Sequence, residues 1–92
     1  MGDSEKDAFS VPASRRSRYY FDIRDGEYVQ KDNDGVLLEG IEEARAHAVR
    51  ALPDIARDDM PEGDHREFAI EVKDEDGRRL FTARLILMIE RA

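Results

Sequence analysis

Two acidic loops come nearest, in residue type and spacing, to chemistry. Asp32-x-Asp34-Gly35 and Asp74-x-Asp76-Gly77 match the centre of an EF-hand loop, where alternate carboxylates surround calcium and a glycine makes the sharp turn. The flanking positions break the match. With Gly35 at the glycine position, Gln30 stands first and Ile41 twelfth; with Gly77 there, Val72 stands first and Ala83 twelfth. Both loops therefore lack the leading carboxylate and the closing bidentate Glu. Turn chemistry accounts for these aspartates, and no metal site is expected at either loop.

Nucleophiles are scarce. Beyond residue 17 the chain has no Ser and no Cys, Thr82 is its single Thr, and Lys31 and Lys73 are its only Lys, each beside a turn. His47 and His65 lack the i, i+4 spacing of a metal-binding helix and read as solvated surface residues. The 22 acidic residues offer many carboxylate pairs, so no particular pair points to acid–base work. Each Gly is isolated, which excludes a phosphate-cradling loop. No catalytic residue, cofactor or enzymatic activity is expected.

Such side chains would have to be positioned by elements that the hydrophobic pattern outlines. Arg18 to Arg24 alternates, with Tyr19, Phe21 and Ile23 on one face and Tyr20, Asp22 and Arg24 on the other. Asp25-Gly26 predicts a tight hairpin into Glu27 to Lys31, with Arg24 opposite Glu27, Ile23 opposite Tyr28 and Phe21 opposite Gln30. After a second turn at residues 31–35, Val36 to Leu38 either adds a short strand or covers the core edge. Ile41 to Met60 has helical spacing, with Ile41, Ala44, Ala48, Ala51, Leu52, Ile55 and Ala56 on one side. Pro53 falls on the solvent side, where it either bends the helix or splits it. Arg66 to Lys73 and Arg79 to Glu90 form a second hairpin. Paired numbers summing to 151 or 153 both set Phe68, Ile70 and Val72 against Phe81, Ala83 and Leu85. The expected fold is α+β, a ββαββ unit whose four-stranded antiparallel sheet carries one helix on one face.

Residues 1–17 hold all four serines and few apolar side chains, which predicts a disordered tail before a single domain at 18–92. No stretch has the apolar run of a signal peptide or a membrane span, and there is no Cys, so a cytoplasmic protein is expected. A net charge of −7 disfavours nucleic acid as a partner.

The pattern R-Y-Y-F at Arg18 to Phe21, Asp25-Gly26, D-x-x-G at Asp32 to Gly35, E-A-R-x-x-A at Glu43 to Ala48 and D-E-x-G at Asp74 to Gly77 resembles a small domain-of-unknown-function family of rhizobia and related alphaproteobacteria. The likeness covers about residues 18 to 90 and implies no activity. The order of elements also resembles the HicB-like antitoxin of the HicAB pair, in architecture alone.

Leu85 to Ile89 is apolar on both strand faces, while one helix can cover only one face. Tyr20, Leu80, Thr82, Arg84, Ile86 and Met88 are therefore the candidate interface on the outer face. The leading expectation is a non-enzymatic interaction module, a homodimer that also engages a protein partner. The alternative is a nucleic-acid platform built on Arg18, Tyr20, Arg24 and Arg84.

Overall fold

A computed structural model describes residues 16–58 and 63–92. The elements run β1 (Ser17–Asp25), β2 (Tyr28–Gln30), β3 (Val36–Leu38), α1 (Ile41–Asp58), β4 (His65–Lys73) and β5 (Arg79–Met88). The expected tail lies almost wholly outside the described residues, and so does the end of the predicted helix at Asp59 and Met60. Ser17, assigned to the tail, is the first residue of β1.

Among the described residues the sheet is antiparallel and has five strands rather than four, in the order β2-β1-β4-β5, with β3 also on β1. β2 and β3 occupy the same edge of β1. Ile23 faces Gln30 and Tyr19 faces Val36, so residues 31–35 make a detour opposite the middle of β1. The first hairpin is shifted two residues from the expected register, because Asp25 pairs with Tyr28 and the central residues are Gly26 and Glu27. Gly26 has φ 63° and Glu27 does not have positive φ, the combination a type II′ turn demands. Placing Asp25 and Gly26 at the centre of a type I′ turn would have forced Asp25 into the left-handed region, at a cost that Gly escapes. A shift of two leaves the faces unchanged, so Tyr19, Phe21 and Ile23 still face inward.

β4 and β5 pair with numbers summing to 153, as in Phe68 with Leu85 and Val72 with Phe81, until a bulge between Val72 and Lys73. α1 covers one face through Ala44, Ala48 and Leu52, whose i, i+4, i+8 spacing lets small side chains meet Tyr19, Phe21, Phe68, Ile70 and Val72. Ile41, expected on that face, is exposed. Glu43 accepts the Glu39 N–H at 2.8 Å and so holds the entry to the helix. The helix is continuous through Pro53, which is exposed. The Val49 carbonyl that loses its helical partner there belongs to another exposed residue.

Gly35 is required by both conformation and space. Its φ is 72°, and a Cβ there would lie 2.6 Å from Arg18 Cγ and 3.0 Å from Tyr20 Cε2. Gly26 has a similar φ of 63° with nothing within 4 Å. Urea unfolding is expected to show Gly35→Ala less stable by about 2 kcal/mol and Gly26→Ala by about 1 kcal/mol, since only the first adds a clash to left-handed strain. Equal losses would remove the packing argument for Gly35.

Candidate functional site

The face of the sheet opposite α1 divides into a charged part and an apolar part. Across the strands Arg24, Ala69 and Arg84 stand in one row, with Asp22, Glu71 and Thr82 in the next. Diagonal ion pairs tie the rows together: Arg24 Nε to Glu71 Oε2 at 3.0 Å, Arg84 Nη1 to Glu67 Oε2 at 2.9 Å, and Lys73 Nζ to Asp22 Oδ2 at 2.8 Å. Ala69 is only 2% exposed although no helix among the described residues covers it, because it lies between two arginine stems. A shallow depression of about 240 Å³ surrounds it. Both arginines of the supposed phosphate platform on this row are thus already partnered by carboxylates.

The apolar part is the end of β5. Ile86 lies opposite Glu67 and Met88 opposite His65, and these two side chains are 53% and 59% exposed. On the helix side Leu85 and Leu87 remain 38% exposed, because α1 packs nearer the other end of β5. The expected interface residues are therefore only partly gathered. Thr82, Arg84, Ile86 and Met88 form one row on β5, but Tyr20 is half-buried on β1 beside Lys73, two strands away. Leu80, expected to point outward, packs against the core, since the bulge leaves it unpaired between Arg79 and Phe81.

At the opposite pole of the sheet the two acidic loops converge on β1 around a cavity of about 370 Å³, lined by residues that include Tyr20, Asp22, Lys31, Asp32, Lys73 and Asp74. Their carboxylates face backbone donors. Asp32 accepts the N–H groups of Phe21, Asp34 and Gly35 at 3.0–3.1 Å, and Asp22 accepts that of Asp32 at 2.9 Å. Asp74 accepts from Asp76 and Arg78 at 2.9 Å. Among the described residues no group of three or more His, Asp or Glu is arranged to hold a metal ion. Burial opposes ionisation of Asp22, yet the Asp32 N–H and the Lys73 and Lys31 ammoniums outweigh it and lower its pKa. Burial and the Asp22 charge likewise oppose ionisation of Asp32, and its three backbone donors still lower its pKa.

His47, read from the sequence as solvated, is half-buried with its ring 4.5 Å from that of Phe21. One helical turn from Ala44 and Ala51, it borders the buried stripe, and an aromatic neighbour on β1 completes its packing. The other missed residue is Arg66. It grips Asp25 with two bonds of 2.8 Å and lies 5.2 Å over the Phe68 ring, closing the end of the core that α1 does not reach.

No helix among the described residues is long and apolar enough to cross a membrane. A family model described as a domain of unknown function, DUF6894, matches residues 18–86, well over half of the chain. No curated protein and no solved structure matches the chain significantly.

Proposed function

The chain belongs to the DUF6894 family of domains of unknown function, and from that premise we propose that it is a non-enzymatic interaction module that associates with a second copy of itself through the exposed end of β5 before engaging another protein. The observation that carries this reading is the run Leu85 to Ile89, five consecutive apolar residues exposed on both faces of a strand. Covering a large aliphatic side chain contributes roughly 1.5–3 kcal/mol. In a domain whose core supplies only ~3–5 kcal/mol of net stability, that gain is comparable with the whole. Nucleic acid is the weaker reading, because Arg24 and Arg84 are neutralised by Glu71 and Glu67.

Sedimentation of the wild type is expected to show a dimer at micromolar concentration, and of Ile86→Lys/Met88→Lys a folded monomer. Lys at 86 would stand opposite Glu67, an opposite-charge cross-strand pair that favours retention of the sheet. A wild type that sediments as a monomer up to millimolar concentration overturns the reading.

A further inference from the structure

Resting on the reading of β5 as a self-association surface, we propose how the two copies join: β5 pairs edge to edge with β5 of the second copy, antiparallel, about a two-fold axis at Leu87. The sheet then runs unbroken through both molecules.

The backbone phase sets which groups are free. Ile89 donates its N–H to the Asp64 carbonyl at 2.7 Å, which continues the β4–β5 ladder as a hydrogen-bonded pair. Antiparallel ladders alternate, so Leu87 and Leu85 direct their N–H and C=O groups toward Arg66 and Phe68. Those of Arg84, Ile86 and Met88 point to the open edge, since among the described residues β5 ends the strand order and pairs only with β4. Proteins blunt such an edge with charge, proline or a bulge, and from Leu85 to Ile89 this edge carries none of them.

Charge then selects the register. A two-fold axis pairs residues whose numbers have a constant sum, and the free edge requires the hydrogen-bonded pairs to have even numbers. An axis at Leu87 sets Ile86 against the partner's Met88, Leu85 against the partner's Ile89, and Arg84 against the partner's Glu90. The apolar run is matched with itself and closed at each end by an opposite-charge pair. An axis at Ile86 sets Arg84 against the partner's Met88, and one at Leu85 sets Arg84 against the partner's Ile86, so both bury a guanidinium on an aliphatic chain. Among the described residues Glu90 has no ion pair, and Arg84 has donors left beyond the one it gives Glu67. In the Leu87 register the partner strand continues past Glu90 beside Ala83, where a groove of about 460 Å³ lined by Ile41, Arg45, Val49 and Phe81 lies open.

The test uses Leu87→Cys in the full chain, which has no other Cys. A non-hydrogen-bonded antiparallel pair brings its Cα atoms to about 4.5 Å, within the range a disulfide bridges. Mild oxidation is expected to give a reducible covalent dimer with Leu87→Cys and none with Thr82→Cys, whose two copies lie five residues either side of the axis. The amides of Ile86 and Met88 are expected to exchange slowly in the wild-type dimer, and Glu90→Arg to weaken the dimer about tenfold. A wild-type dimer with rapidly exchanging amides at 86 and 88, together with a Leu87→Cys variant that does not cross-link, overturns edge pairing while leaving self-association through the outer face intact. A wild-type monomer overturns both.

Discussion

Replacing Phe68 by alanine is expected to leave about half or more of the molecules unfolded at 25 °C. Phe68 is 1% exposed and is the largest of the fully buried side chains, in the middle of the strand that joins the two halves of the sheet. It stands between Asp25 on β1 and Leu85 on β5, with the Arg66 guanidinium over its ring. Truncating such a residue removes its transfer free energy and leaves a cavity, about 3–5 kcal/mol together. A single core in a chain of this size supplies about the same amount, so the loss matches the whole stability of the domain. Far-UV circular dichroism should show no cooperative melt for Phe68→Ala. Phe81→Ala, which removes a half-buried ring at the edge, should melt cooperatively at a lower temperature. A Phe68→Ala protein that melts within a few degrees of the wild type would mean that the core is not centred on β4.

The parts of this fold legible in the sequence are those governed by a single repeat. Alternation along β1 and β4 assigns Tyr19, Phe21, Phe68, Ile70 and Val72 to the core, and the helical period assigns Ala44, Ala48 and Leu52. Both second-hairpin registers considered keep the same residues facing inward, and the structure adopts the one summing to 153. The misplacements fall where local backbone geometry competes with periodicity. Asp-Gly marks a tight turn without saying which turn position the Gly takes, and here the Gly comes first. Leu80 follows the alternation on paper, but one unpaired residue in the bulge redirects it.

The candidate surface shows the same division. Ile86 and Met88 are legible because a continuous apolar run has no periodic explanation under a single helix, and both are exposed. The ion-paired half of the face is not legible, because it depends on which strands adjoin. Arg24 meets Glu71 only once β1 lies beside β4, a long-range pairing with no local signal. Val36 to Leu38 reads equally as a short strand or a cover for the core edge, and the choice of strand β3 rests on its non-local pairing with the start of β1. The gap between β3 and β2 on the edge they share is bridged by Asp32, whose side chain takes the place of a strand at Phe21.

That substitution of side chain for strand makes Asp32 the second most sensitive position expected. Its Oδ2 accepts the part-buried Phe21 N–H at 3.1 Å, while Oδ1 accepts Asp34 and Gly35. Asp32→Ala leaves three donors without that acceptor and is expected to lose about 3 kcal/mol. Asp32→Asn keeps an oxygen for the turn but sets an NH₂ group against the Phe21 N–H, for a loss of about 1–3 kcal/mol. The pH dependence separates this role from generic destabilisation. Asp22 and Asp32 both have pKa values lowered by folding, so below about pH 4 the unfolded chain binds protons that the native state does not. Their contribution is complete above that range and is lost as pH falls through the lowered native values. Urea unfolding from pH 7 to pH 2 should therefore show wild-type stability dropping below about pH 4, with the Asp32→Ala curve falling less steeply and approaching it at the acid end. Parallel curves over the whole range would mean that the Asp32 carboxylate is not the group holding the detour against β1.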